Sequence, residues 1–238
     1  MPITINLLGP VTITGATGKR PSSPARATEA IAFLALNPWD DHTLLDAAMW
    51  PGQRITAASR SVLMHQARTW LGTDDTGRPW VSLVHDDGYR LHPDVTVDVD
   101  VVQAALDNGP RATTTTNLIR ALRLVRGQPL TGVTPTRYAW ADLDRQELIG
   151  LIADAAEELA TRTLARRDQS RLASWATAIA VMVEPAREDL WRLRLQAAAS
   201  SAGADQVRTV IGNLRAALDP LGPLEQTTQN LIDQHTQE

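Results

Sequence analysis

The side chains with chemistry to offer gather in one stretch. Ser61, His65 and Arg68 recur at helical spacing opposite Leu63, Met64, Ala67, Trp70 and Leu71, with Gln66 beside them, so a helix over residues 57–71 buries the apolar set and turns the polar one outward. Hydroxyl, imidazole, carboxamide and guanidinium groups in such a row can meet base edges in a major groove. Arg54 and Arg60 flank the start of this helix, and Arg90 lies on a predicted hairpin. Lys19 and Arg20 follow a glycine-containing loop from which they could touch phosphates. These nine residues are the candidate site.

Catalysis has no comparable set. Gly15-Ala16-Thr17-Gly18-Lys19 invites comparison with a phosphate-binding loop, but Ile13 stands where the first glycine belongs and Arg20 follows the lysine, so a flexible basic loop is the better reading. The five histidines, His42, His65, His85, His92 and His235, are scattered; His85 and His92 could approach across a hairpin, yet two imidazoles without carboxylate or thiolate company make a poor metal site. Asp98 and Asp100 lie in an alternating stretch and are better read as capping a linker helix than as metal ligands. With no cysteine, a disulfide framework and a thiolate site are both excluded. The expectation is a non-enzyme with no cofactor, no metal and no small-molecule substrate.

The elements that must position the candidate residues follow from punctuation and periodicity. Ile3, Ile5 and Leu7, then Val11 and Ile13, alternate around Gly9-Pro10 and predict a hairpin. A helix over residues 25–36 carries Ala27, Ala30, Ile31, Leu34 and Ala35 and stops at Asn37-Pro38. A second, capped by Thr43, ends at Pro51-Gly52, and the third, capped by Thr56 or Ser59, ends at Gly72. Residues 81–84 and 89–91 pair around Asp86-Asp87-Gly88, since an Asp-Gly pair supplies the positive φ that tight turns need. Three helices and a two-stranded ribbon in this order describe a winged helix-turn-helix.

The remainder reads as helix. Asn108-Gly109-Pro110 and the four threonines 113–116 mark a boundary and a helix cap, a long helix covers residues 138–167, and further helices cover about 170–183, 187–201, 205–218 and 224–234. Turns at Asp168 and Gly203 stand 35 residues apart, close to the roughly 34-residue period of tetratricopeptide-like helix pairs. Trp140, Trp175 and Trp191 are aromatic anchors of this half, packing its helices together or lining a partner groove; Glu157-Glu158 and Arg166-Arg167 read as solvated helix surface. The fold class expected is mostly α with small β elements: a winged helix-turn-helix over residues 1–100, then a tetratricopeptide-like helical repeat domain over residues 101–238.

Charge cuts across this reading. Residues 1–106 hold eight basic and eleven acidic side chains, within a chain of net charge −4. Non-specific DNA affinity comes from clustered lysine and arginine, and acids at Asp86 and Asp87 on the wing tip oppose it. Two readings therefore stand: double-stranded DNA contact by some of the nine residues, or a winged-helix shape that has lost strong DNA binding and serves as a protein-interaction surface. No apolar run reaches the roughly 18 residues of a membrane span, so no direct membrane insertion is expected.

Leu7-Leu8-Gly9-Pro10-Val11, residues 30–36 before Asn37-Pro38, residues 44–50, Ala67-Arg68 followed by Trp70-Leu71-Gly72, and Gly88-Tyr89-Arg90-Leu91 together resemble the OmpR-type winged helix of the actinobacterial antibiotic regulatory proteins. Ala121-Leu122, Arg126-Gly127-Gln128-Pro129-Leu130 and Asp189-Leu190-Trp191 are similar to the bacterial transcriptional activator domain that accompanies it. Arg137-Tyr138-Ala139-Trp140 and residues 152–159 are similar, more narrowly, to the C-terminal region of large actinobacterial proteins in which a LysM module and membrane segments precede this pair of domains. The resemblance implies a cytoplasmic transcription regulator, or the cytoplasmic portion of a membrane-anchored protein. It implies sequence-specific DNA binding, with the helical half serving self-association or a protein partner. Where the family's activators carry several arginines on the recognition helix, this one carries Arg60 and Arg68.

Overall fold

A computed structural model describes residues 2–38, 42–84, 88–132, 137–166, 169–201 and 204–236. The elements are β1 (Thr4–Asn6), β2 (Thr12–Thr14), α1 (Pro24–Leu36), α2 (His42–Met49), α3 (Ala57–Leu71), β3 (Val81–Leu83), β4 (Tyr89–Leu91), β5 (Thr96–Val97), α4 (Asp98–Ala105), α5 (Thr115–Leu122), α6 (Asp142–Leu164), α7 (Ser170–Val183), α8 (Glu188–Ser201), α9 (Ala204–Leu218) and α10 (Gln226–Thr236). Small strands in the first half and helices throughout the second match the expected fold class.

The described residues fall into two compact units, Met1–Val101 with Pro129–Arg145, and Val102–Gln128 with Gln146–Glu238. A single break near residue 100 therefore does not describe the chain. The segment Pro129–Arg145 returns to the first unit, and Trp140 packs there against Phe33 of α1, at 5.1 Å between ring centroids, instead of anchoring the helical half.

In the first unit β1 pairs antiparallel with β2, the hairpin expected around Gly9-Pro10, with Ile5 opposite Ile13. Its other edge is taken by β5, parallel, with Ile5 opposite Val97, a third strand that two residues of sequence pattern do not announce. Directly after it, Asp98 opens α4, and its carboxylate accepts the Leu7 and Leu8 N–H groups at 2.7 and 3.0 Å. The carbonyls of the same turn point to the returning segment: Leu130 N–H donates to Leu7 at 2.8 Å and Thr131 N–H to Gly9 at 3.1 Å. α1 is the central helix, buried at Ala27 and continuously from Glu29 to Ala35, and it packs on α2, α3 and β4.

Thr43, expected as an N-cap, is the second residue of α2. Thr56 caps α3, its hydroxyl accepting the Ser59 N–H at 3.3 Å, and Gly72 ends that helix at φ +80°, a conformation that disfavours any residue with a Cβ. β3 and β4 pair Ser82 with Arg90, and Val84 N–H donates to Gly88 at 2.9 Å. His85, Asp86 and Asp87, the expected wing tip, lie outside the described residues, as does the proposed approach of His85 to His92.

In the second unit Thr114 caps α5, its hydroxyl accepting the Asn117 N–H. Trp191, Leu195 and Ala198 of α8 form a core with Val207, Val210, Leu214 and Leu218 of α9 and Ile232 of α10. α7 and α9 begin 34 residues apart, the spacing of stacked helix pairs; the turns expected at Asp168 and Gly203 lie outside the described residues. Glu157 and Glu158 are not simple solvated surface. Glu158 holds Arg162, whose guanidinium donates to the Thr113 and Arg111 carbonyls at 2.7 and 2.8 Å. Glu157 pairs at 2.7 Å with Arg187, which also meets Asp154, Glu184 and Asp189. That guanidinium holds the Asp189 carboxyl below the usual carboxylate range, chiefly through its hydrogen bonds.

Asp98→Ala removes the acceptor of two buried amides and leaves them without water. At about 1–3 kcal/mol for each orphaned donor, urea unfolding followed by tryptophan fluorescence should show a loss of about 3 kcal/mol. A loss below about 0.5 kcal/mol would mean that other groups satisfy these amides.

Candidate nucleic-acid interface

The site is an exposed helix face held by three attachments. The inner face of α3 buries Leu63, Met64, Ala67, Trp70 and Leu71, the set read from periodicity. At about 100° per residue, the direction opposite that face is occupied by Ala58, Val62, His65 and Thr69, all exposed, with Ser61 and Arg68 on one flank and Gln66 on the other. Ser61, His65 and Arg68 thus lie together, and Gln66 is exposed on the opposite flank, about 160° around the helix from Arg68. His65 Nε2 stands 3.5 Å from the Thr69 hydroxyl, one helical turn on. Val62 is 60% exposed and went unforeseen. Its signal was available, as an apolar side chain out of phase with the buried period, and such a group in a groove contacts thymine methyls as alanine and threonine methyls do.

Arg60 is a correction. It is 6% exposed and turns inward, where its guanidinium pairs with the Asp46 carboxylate of α2, the second attachment of α3. A group engaged in this way is not offered to a base edge. Helical period alone separates it from Arg68: Arg60 stands three, four and seven residues before the buried Leu63, Met64 and Ala67, while Arg68 falls off that stripe and is exposed. What the local pattern lacks is the counter-charge, 14 residues upstream on another helix.

The third attachment is the loop expected to be flexible. The N–H groups of Thr17 and Gly18 donate to the Leu71 and Trp70 carbonyls at 3.3 and 3.0 Å, satisfying two of the carbonyls that a helix C-terminus leaves open. A Cβ on residue 18 would lie 1.8 Å from the Thr69 carbonyl oxygen, which makes glycine necessary for this approach. The Arg20 guanidinium sits over the Trp70 ring at 5.6 Å, and Lys19 beside it is exposed. The basic pair is thereby fixed at the C-terminal end of α3.

Arg54, exposed, precedes α3, and Arg90 is exposed on β4. Arg78, between α3 and β3, is committed to Asp74 at 2.7 Å. Hydrogen bonds from the Thr76 hydroxyl, the largest influence, and from the Arg78 backbone and side chain hold the Asp74 carboxyl well below the usual carboxylate range. Residues 57–71 contain no Asp or Glu. Among the described residues no group of three His, Asp or Glu side chains is placed to hold a metal ion, and no helix is long and apolar enough to cross a membrane.

The class defined by these units is a winged helix-turn-helix followed by stacked helices. No protein-family model and no curated protein matches the chain. Among solved structures it is similar to EmbR of Mycobacterium tuberculosis, determined in complex with a low-affinity phosphopeptide, with a TM-score of 0.54 and 20% identity over 99% of this chain and 69% of that one. The likeness is one of fold.

Removing one member of a buried ion pair costs about 3–5 kcal/mol, while replacing both by apolar groups is close to neutral. Arg60→Ala should therefore lower the urea midpoint clearly, Arg60→Met combined with Asp46→Leu should restore most of it, and the double variant should keep any DNA affinity of the parent. A stable Arg60→Ala protein with lost DNA affinity would return Arg60 to the contact surface.

Proposed function

We propose that the chain is a DNA-binding transcriptional regulator of the winged-helix and bacterial-transcriptional-activator class, acting in the cytoplasm. The observation that carries this reading is the outer face of α3, exposed, free of acids, carrying polar side chains beside Val62 and attached from behind. The fold shared with EmbR supports it. Ser61, His65, Gln66 and Arg68, with Val62 and Thr69, read base edges; Lys19, Arg20, Arg54 and Arg90 meet phosphates. The helical unit serves self-association or a protein partner. Four phosphate contacts per chain give a salt slope of only about −3.6, so two chains on adjacent half-sites are needed for useful affinity.

A second reading is favoured by charge. Of the eight basic residues before position 107, Arg26, Arg60 and Arg78 are paired with carboxylates. The winged helix would then be a scaffold in a protein-interaction module.

Fluorescence anisotropy with a random duplex pool, followed by recovery of the bound sequences, separates the two. The regulator should bind with a salt slope of about −7 for two chains, at about −0.9 for each of four phosphate contacts per chain, and enrich a motif. Arg68→Ala should cost about 1–3 kcal/mol and relax one position, whereas Arg54→Ala should weaken all sequences alike and reduce the slope by about 1. An Arg68→Ala protein that binds the selected DNA as the parent does would refute the assigned contacts, and no binding at low salt would favour the interaction module.

A further inference from the structure

Within the first unit a cavity of about 410 Å³ is lined by α1, the end of α2 and the returning segment. Its charged floor has no part in the α3 face. Glu29 is 4% exposed, and one of its oxygens, Oε2, takes the Arg137 guanidinium at 3.0 Å and that of Arg26 at 3.4 Å. Arg26 is further fixed over the Trp50 ring at 5.0 Å. Two guanidiniums against one carboxylate leave the cavity one positive charge in excess, and each guanidinium has five N–H donors, more than Glu29 consumes. The remaining walls, among them Ala48, Met49 and Trp140, are largely apolar.

We propose that this cavity binds a small organic acid with a flat apolar body. Its carboxylate would bridge Arg26 and Arg137, and its body would lie against Met49 and Trp140. The single excess charge matches a monoanion, and paired guanidinium forks match the planar carboxylate. The volume falls in the range of small-molecule sites, roughly 300–1,000 Å³. Apolar walls distinguish such a site from a phosphate contact, which needs cations and no hydrophobic enclosure. An occupant would join α1 and α2 to the segment that leads into α6.

The test is ligand-observed NMR and calorimetry on the full chain. Salicylate, 4-hydroxybenzoate and indole-3-acetate serve as probes, each paired with its neutral amide, with inorganic phosphate as the bare-anion control. At least one acid should bind once per chain and saturably, with its amide at least about tenfold weaker, a difference of about 1.4 kcal/mol. Arg137→Lys should weaken it severalfold. Since that variant could unsettle Glu29, Ala48→Phe provides a second one that fills the space, leaves the ion pairs in place and should abolish binding without lowering the urea midpoint. Duplex DNA should not displace the acid. Absence of saturable binding by all three acids at millimolar concentration, equal binding of the amides, or undiminished binding to Ala48→Phe would each overturn the proposal. So would displacement by equimolar phosphate or by DNA, which would make this a bare anion or backbone contact.

Discussion

Two amides, of Leu7 and Leu8, and two carbonyls, of Leu7 and Gly9, hold the first unit together. The Asp98 carboxylate receives both amides, and the amides of Leu130 and Thr131 reach both carbonyls, so chain segments some ninety and one hundred and twenty residues downstream meet on one turn. The energetic case is that of satisfaction: these groups are buried, and leaving either set unpaired would cost more than each bond contributes. With the turn fixed from both sides, β1 can accept β5 on its free edge, and α1 packs on α2, α3 and β4.

Rigidity of α3 follows from the same logic at smaller scale. Its apolar face gives affinity for the core but leaves rotation and sliding open. The Arg60–Asp46 pair fixes its rotation against α2, and the Thr17 and Gly18 amides fix its C-terminal end. A pair of this kind adds little net stability compared with an apolar one, and its contribution is directional. An interface that reads base edges needs side chains held to a fraction of an ångström, which packing by Leu63, Met64 and Ala67 alone does not supply.

Local signals were legible in the sequence and distant ones were not. The inner face of α3, a cap at Thr56 or Ser59, Gly72, a threonine cap within residues 113–116 and the first hairpin follow from periods and capping chemistry within a few residues. Arg60 is in phase with Leu63, Met64 and Ala67 and Arg68 is not, so period alone separates the two; the carboxylate that makes burial of Arg60 tolerable, Asp46, is on another helix and has no local signal. Gly18 looked like a loop residue, since the carbonyls it approaches belong to a helix about fifty residues away. The return of Pro129–Arg145 had no signature either. Its turn uses Leu130 and Tyr138 at positive φ, +58° and +65°, where sequence logic looks for glycine or asparagine. Tertiary burial imposes these values: Tyr138 is fully buried beside Glu29, and burial together with that carboxylate pushes its hydroxyl pKa up.

The acidity of the chain bears on the α3 face less than its total charge implies. Exposed charges separated by more than about 8–10 Å are largely screened at physiological salt, so a phosphate at α3 responds to its neighbourhood and not to a sum of −4 over 238 residues. Beside α3, Asp46 is committed to Arg60 and Asp74 to Arg78, while Asp75, four residues past its end, is exposed. Each such pair removes one charge of either sign from the local field. What remains on α3 and the loop that caps it is Arg68, Lys19 and Arg20, with no carboxylate anywhere on the helix. On the proposed reading such a face would attract phosphate weakly at long range and discriminate mainly at contact, through hydrogen bonds and methyl packing. A DNA reader built in this way would be slow to associate and selective once docked, because few cations on α3 and its capping loop hold it to unrelated sequences.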